Sequence, residues 1–197
     1  MMQHLRSLLF LPACALAIVA PLAAQELSLE MDPAQSKVEF TLGATLHTVH
    51  GSFRFKRGAI RYDPSSRAAS GEILVDAPSG ATGNDSRDRK MHKEILESQR
   101  FPDIVFRPDR VEGRLAPLGV SQIEVHGVFS VHGSGHELRA PVEVRVSGGQ
   151  YAITARFSIP YLKWGMKNPS TLFLRVDDHV DITLHILAHA ANGGTSQ

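Results

Sequence analysis

The chain has 197 residues, of which 43% are hydrophobic, and its 21 Lys and Arg residues nearly balance its 20 Asp and Glu residues. This balance excludes a strongly basic surface of the kind that binds nucleic acids and anionic membranes, so we expect no nucleic-acid partner. The length suits one domain with a sizeable hydrophobic core.

The N-terminal segment is typical of an export signal. Arg6 precedes an apolar stretch over residues 8–19, and small residues follow it up to Ala24, so we predict a signal peptide over residues 1–24 and a periplasmic location. The stretch contains Pro12 and is shorter than the roughly 20 residues of a spanning helix, so we expect no stable membrane insertion. A lipoprotein site at Cys14 is the weaker alternative, because Pro12 fits such a site poorly.

Beyond the signal, apolar and polar residues alternate with period two, which is typical of antiparallel strands with one apolar face. In chain order, the alternating segments are residues 37–42, 53–56, 59–62, 73–77, 104–106, 123–131, 142–146, 151–159 and 180–186. Turn signals between them are DPSS at 63–66, Pro-Asp at 108–109, HGSG at 132–135 and SGGQ at 147–150. We predict eight or nine strands in a single domain over residues 25–197, with its core at about 36–187.

One segment interrupts the strands. Residues 84–97 begin with an N-cap candidate, Asn84, and continue with acidic residues and strong helix formers, so they predict one inserted helix. Met91 and Ile95 lie four residues apart and form a narrow apolar stripe that we expect to dock this helix. Residues 161–171 predict a loop with a turn of helix.

Period-two alternation is compatible with two all-β architectures. A β-sandwich has a packed core, whereas a closed barrel of about eight strands has an interior wide enough for packed side chains or for one slender ligand. The pattern alone leaves both open. A structural or interaction β-sandwich without a ligand is therefore one alternative.

Four motifs, taken in order, resemble the YceI family. They are VHGSFRF with GAI at residues 49–60, TGNDSRD at 82–88, FPDIVF at 101–106 and HGVFSVHG at 126–133. They are similar to that family's G-x-F strand, RD-containing helix, (F/Y)-P-x-I-x-F strand and G-x-L-T-x-H-G strand and turn. The resemblance covers nearly all of the chain beyond the signal.

The resemblance implies an all-β fold, an extended lipocalin-like antiparallel β-barrel of about eight strands with one inserted helix and a tubular apolar cavity. It implies a periplasmic binding or carrier protein for a long-chain apolar ligand, such as a polyisoprenoid, an isoprenoid quinone or another lipid, with no cofactor besides that lipid. The chain departs from the family pattern at RKMH, residues 89–92, where the family commonly has His-Leu, and this leaves the headgroup open.

Large apolar side chains on the alternating rows are either cavity wall or ordinary core. With the resemblance, the predicted tail contacts are Phe40, Phe53, Phe55, Met91, Ile95, Phe106, Phe129, Phe157 and Trp164. Trp164 is either part of a mobile lid or a plug that caps the core. The candidates for the headgroup or rim are Arg87, Asp88, Lys90 and Lys167. The pair Arg87–Asp88 is favoured as a brace for the helix, and the basic cluster is otherwise a solvated helix face.

The 10 histidines raise a second function, a periplasmic histidine-based metal-binding protein. His47, His50, His132 and His136 are the candidate ligands, although no local metal motif such as H-E-x-x-H contains them. His126 falls on a polar row and is expected to be a solvated surface residue. No nucleophile elbow or phosphate-binding loop is present, so we predict no enzyme activity. The oligomeric state stays open, with a homodimer as one alternative.

Overall fold

The computed structural model describes residues 26–45, 47–171 and 175–191, and the predicted signal peptide, residues 1–24, lies outside them. The strands are β1 Leu27–Met31, β2 Lys37–Gly43, β3 Thr48–Tyr62, β4 Ala69–Ala81, β5 Asp103–Gly113, β6 Gly119–Val131, β7 Ser134–Ser147, β8 Gln150–Ile159 and β9 Val180–Ala190. Helix α1, Asp85–Lys90, continues as a wider π-helical turn over Met91–Ile95. No helix within the described ranges is long and apolar enough to cross a membrane.

Eight strands close into one antiparallel barrel. Each strand from β2 to β8 pairs with the next strand along the chain, and β9 returns to pair with β2, where Leu184 lies opposite Val38. The predicted barrel of about eight strands with one inserted helix is therefore confirmed. A single closed sheet has no free edge, so the β-sandwich alternative is wrong.

The pattern analysis does not predict β1, which is only five residues long. β1 pairs antiparallel with β3 and β9, the two strands that also flank β2. Leu29 of β1 lies opposite Ile60, whereas Val38 of β2 lies opposite Phe53. β1 and β2 are therefore two segments of one barrel strand, interrupted by a 3-10 turn at Pro33–Gln35.

Bulges explain two further differences between the predicted and observed strands. The predicted segments 53–56 and 59–62 form one strand, β3, whose pairing with β4 shifts register twice. The Pro-Asp pair at 108–109 lies inside β5, at a register shift against β6, so its prediction as a turn is wrong. A bulge accommodates Pro108, which has no N–H to donate to the neighbouring strand.

Because neighbouring strands run antiparallel, successive connections alternate between the two ends of the barrel. Among the described residues, the helix end comprises 44–45, 47, 82–102, 132–133, 160–171 and 175–179, and the hairpin end comprises 63–68, 114–118 and 148–149. At Gly148 and Gly149 the φ angles are 56° and 77°, the left-handed values that a two-residue type I′ hairpin requires. The two longest connections, between β4 and β5 and between β8 and β9, thus lie at the helix end.

Gly127 in β6 allows β5 to approach closely, and we predict that Gly127→Ala destabilises the barrel. A Cβ at this position would lie 2.2 Å from the carbonyl oxygen of Arg107 and 2.7 Å from Cα of Pro108, backbone atoms that cannot rotate away. We expect the free energy of unfolding to fall by about 1–3 kcal/mol in urea denaturation.

The matched control for this prediction is Gly135→Ala in β7. Its Cβ would first meet Cγ1 of Val128 at 3.0 Å, a side chain at the barrel surface, so the expected loss is under about 0.5 kcal/mol. Equal stability of the two variants would contradict the proposed close approach.

Candidate ligand-binding cavity

The barrel encloses a cavity of about 680 Å³, within the range of about 300–1,000 Å³ that is usual for small-molecule sites. All nine strands, α1 and the connections of the helix end contribute to its wall. Along β6 the wall positions run from Ile123 to Val131, which at about 3.3 Å per residue is roughly 26 Å of strand. The cavity is therefore elongated along the barrel.

Inward-facing apolar rows form most of this wall. On β7 the wall residues are Leu138, Ala140, Val142 and Val144, which alternate with outward-facing Arg139 and Glu143. The period-two pattern of the sequence thus becomes a continuous apolar lining once the sheet closes. Such a lining binds hydrocarbon by removing it from water.

Polar side chains reach the cavity chiefly at the helix end. They are His47, Thr82, Asn84, Ser86, Arg87, Lys90 and Thr171. Four of them, His47, Asn84, Ser86 and Thr171, are exposed to solvent. The cavity therefore opens at the helix end, beside the start of α1.

Most of the predicted tail contacts lie on the wall. They are Phe40, Phe53, Met91, Ile95, Phe106, Phe129 and Phe157. The rings of Phe40 and Phe53 lie 5.1 Å apart, and those of Phe129 and Phe157 lie 6.2 Å apart, edge to face. Their contact with a ligand stays a prediction, but they lie on the cavity wall, where such contact requires them to be.

Phe55 is not among the wall residues. Its side chain is 3% exposed and packs in a cluster with Met31, Val38 and Val75, which do line the cavity. A Cβ on Gly58 would lie 3.0 Å from the Phe55 ring, so the ring fills the space beside this glycine. Phe55 lies opposite Val75, so it points inward and fills the barrel interior beside the cavity.

Trp164 also lies off the wall, at the helix end. Its indole stacks on the imidazole of His136, with 4.2 Å between ring centroids and 2° between planes, and its centroid lies 5.8 Å from that of Phe129. It packs on a buried cluster that includes Tyr161 and Met166. This placement corresponds to the plug alternative, a side chain that covers the core at the barrel end.

Arg87 and Asp88 meet at Thr82, the first residue after β4. Arg87 donates from Nε to Thr82 Oγ1 at 2.8 Å and from its guanidinium NH2 group to the Thr82 carbonyl oxygen at 3.1 Å. The Thr82 backbone N–H and hydroxyl both donate to the Asp88 carboxylate. Asn84 caps the helix by accepting from the Arg87 backbone N–H. The Arg87–Asp88 pair thus has the geometry of the expected brace.

The two rim lysines differ in position. Lys90 lies on the wall, and its Nζ donates to the Pro169 carbonyl oxygen at 3.1 Å, which links α1 to the β8–β9 connection. Lys167 is exposed and, like Asp88, is not among the wall residues. The pKa of Glu97 is lowered, chiefly by a hydrogen bond from His132, and Lys167 adds to this effect.

The four histidines proposed as metal ligands are not brought together. His50 contacts Thr41, His132 contacts Glu97, and His136 stacks on Trp164. Within the described ranges, the group of three side chains close enough to hold a metal ion is Glu112, Glu124 and His126. None of the four histidines belongs to it.

His126 is 5% exposed, so its prediction as a solvated surface residue is wrong. Arg110 points a guanidinium nitrogen at His126 Nδ1 across 2.9 Å, so Nδ1 is the acceptor and Nε2 carries the hydrogen. Nε2 lies 2.9 Å from the Glu124 carboxylate and 3.3 Å from that of Glu112, although neither contact has hydrogen-bond geometry. Arg110 also lies 3.2 Å from the Glu112 carboxylate, so the group is a network of ion-pair and polar contacts around His126.

Comparison with known proteins identifies relatives of this fold. A model of the YceI-like domain matches residues 29–188, and no curated protein matches the chain at a significant level. BcnA of Burkholderia cenocepacia is 19% identical, with a TM-score of 0.67 over 80% of this chain and 98% of that chain. A polyisoprenoid binding domain from Saccharophagus degradans, implicated in plant cell wall breakdown, is 14% identical, with a TM-score of 0.65 over 84% and 99%. A YCEI protein of Campylobacter jejuni is 15% identical, with a TM-score of 0.59 over 75% and 88%.

Tyr161 on the cavity wall should titrate at unusually high pH. Its hydroxyl donates to the Asp177 carbonyl oxygen at 2.7 Å, and burial, with Asp178 and Asp177 adding to it, raises the pKa of Tyr161 to about 12. The folded-state pKa exceeds the ordinary value of about 10. The contribution of Tyr161 to stability is therefore complete below about pH 10 and is lost as the pH rises to about 12.

Phenolate absorbance measures this titration. The difference between the wild-type curve and that of Tyr161→Phe isolates the group, and it should have its midpoint near pH 12. A midpoint near pH 10 in folded protein would show that the hydroxyl is not shielded from water.

Proposed function

The chain belongs to the YceI-like domain family, and we propose that it is a binding or carrier protein that holds one long apolar chain, of polyisoprenoid or other lipid type, in its barrel. The observation that carries this proposal is the elongated cavity of about 680 Å³, apolar along its length and open at a polar end. The structural neighbour from Saccharophagus degradans, described as a polyisoprenoid binding domain, supports it.

Burial of hydrocarbon alone provides enough free energy for such binding. Each buried CH2 group contributes about 0.8 kcal/mol, so a tail of some twenty carbons contributes on the order of 16 kcal/mol. The loss of translational and rotational freedom costs an estimated 4–15 kcal/mol. A tail of this length or longer can therefore be held with few polar contacts, which agrees with the sparse polar groups on the wall.

We also propose that the protein acts in the periplasm and binds its ligand without chemical conversion. The signal-like sequence over residues 1–24 supports export. The brace at Thr82 and the contact between Lys90 and the β8–β9 connection give the polar residues of the helix end structural roles. A carrier requires a fixed opening of this kind and a lining with low specificity for the detailed structure of the tail.

The proposal predicts that affinity rises with tail length. In displacement of a fluorescent apolar probe by primary alcohols of increasing length, each added CH2 should increase affinity about fourfold until the cavity is filled. Mass spectrometry of lipid extracts from purified protein should find a compound of matching length. An affinity independent of tail length, with no co-purifying apolar compound, would refute the proposal.

Two variants of β8 separate the cavity from the barrel surface. Ala155 lies on the wall and is 5% exposed, so Ala155→Phe should place its ring in the cavity and reduce tail affinity about tenfold or more, the equivalent of two or more CH2 groups. Ala152→Phe adds the same ring to the same strand at an exposed position and should leave affinity unchanged. Circular dichroism and thermal unfolding check that both variants fold. Equal affinities in two folded variants would place the ligand outside the barrel.

A further inference from the structure

The permanent charges on the cavity wall are all of one sign. Arg87 and Lys90 line the cavity, and no Asp or Glu of the described residues does so. Both cations lie at the helix end, next to exposed Asn84 and Ser86, where the cavity opens. A tail that fills the barrel from this opening leaves its headgroup beside two positive charges.

Neither cation forms an ion pair with a carboxylate in the part of the chain that the structure describes. Arg87 donates to the two oxygens of Thr82, and Lys90 donates to the carbonyl oxygen of Pro169, all neutral acceptors. Asp88, the adjacent acid in sequence, is occupied by Thr82. By contrast, several cations on the outer barrel surface have acidic partners, such as Arg57 with Glu72 at 2.9 Å. The Asp88 carboxylate is linked to Arg87 through the Thr82 hydroxyl and offsets part of its charge, whereas no carboxylate of the described residues contacts Lys90.

The hydrogen-bonding capacity of both side chains is only partly used. A guanidinium group has five N–H donors and an ammonium group has three. Two donors of Arg87 and one of Lys90 reach protein acceptors among the described residues. The remaining donors can bind a ligand while the contacts that hold α1 stay in place.

Occupation of the cavity changes the environment of these charges. Arg87 and Lys90 are already half-buried, and a tail in the cavity removes further water from beside them. A charge that loses water without gaining a partner is destabilised. A neutral alcohol or quinone accepts hydrogen bonds but does not neutralise the positive charge. A phosphate or carboxylate accepts charge-assisted hydrogen bonds and also neutralises that charge.

We propose that the helix end binds an acidic headgroup, so that the ligand is a single-tailed amphiphile carrying a phosphate or carboxylate at one end. Arg87 and Lys90 are the residues that bind it. Asp88 and Lys167 lie off the wall and are not part of this subsite. This inference rests on the proposed function and adds the chemical class of the headgroup to it.

Matched ligand pairs test the headgroup separately from the tail. Hexadecanol, hexadecyl phosphate and palmitate have the same tail length, and displacement of a neutral apolar probe measures the affinity of each. For the wild-type protein, the two acidic ligands should bind roughly ten- to a hundredfold more tightly than the alcohol, and added salt should reduce this ratio. Inorganic phosphate should not displace the probe, because it lacks a tail.

Matched variants of α1 assign the effect to residues. Arg87→Gln and Lys90→Gln, alone and together, should lower the affinity for the acidic ligands and leave that for hexadecanol unchanged. Arg89→Gln, an exposed cation of the same helix that lies off the wall, is the control and should keep the wild-type ratio. If Arg87→Gln does not fold because the brace at Thr82 is lost, Lys90→Gln decides the assignment alone.

The outcomes separate the two proposals. Equal affinities for all three ligands, or a ratio that survives in Lys90→Gln and in the double variant, would overturn the acidic headgroup and leave the tail-binding function intact. Displacement by inorganic phosphate alone would overturn a tailed ligand at this subsite. Binding of none of the three ligands would overturn the tail-binding function and this inference together.

Discussion

The closure of the antiparallel sheet is the constraint on which the rest of the structure depends. When β9 pairs with β2, every second residue of every strand points into a space that water cannot fill favourably, because its lining is apolar. The same pairing removes the free sheet edges, so the barrel needs no partner to satisfy its backbone hydrogen bonds. A cavity of about 680 Å³ remains because these side chains do not fill the interior.

Antiparallel pairing also gives the barrel two different ends. Successive connections alternate between the ends, so the two longest, which contain α1 and the segment after β8, meet at one end, whereas the connections at the other end have at most six residues. The helix end is held by specific contacts: Arg87 and Asp88 bind Thr82, and Lys90 binds Pro169. These contacts place two cations at the opening of an apolar cavity, the arrangement on which the inferred headgroup specificity rests.

Particular residues show how far the site could be predicted from sequence. Alternation places Phe40, Phe53, Phe106, Phe129 and Phe157 on inward rows, and all five lie on the cavity wall. Phe55 shares the parity of Phe53 and also points inward, opposite Val75, but its ring packs among Met31 and Val38 and is not among the wall residues. His126 shares the parity of solvated residues yet is buried among Arg110, Glu112 and Glu124 of the two paired strands. Parity assigns a face of the sheet, whereas burial on that face depends on the neighbours that pairing supplies.

The sequence by itself determined the strand-rich architecture, the single inserted helix with Asn84 as its cap, and the Gly148–Gly149 turn, because these depend on interactions between residues close in the chain. Only the tertiary structure decided that the sheet closes as a barrel rather than forming a sandwich, that β1 and β2 share one strand position, and that Arg87 and Lys90 line the cavity while Asp88 and Lys167 do not. The physical reason is that closure and charge placement depend on which distant segments become neighbours. Period-two alternation is identical for a packed and a hollow core.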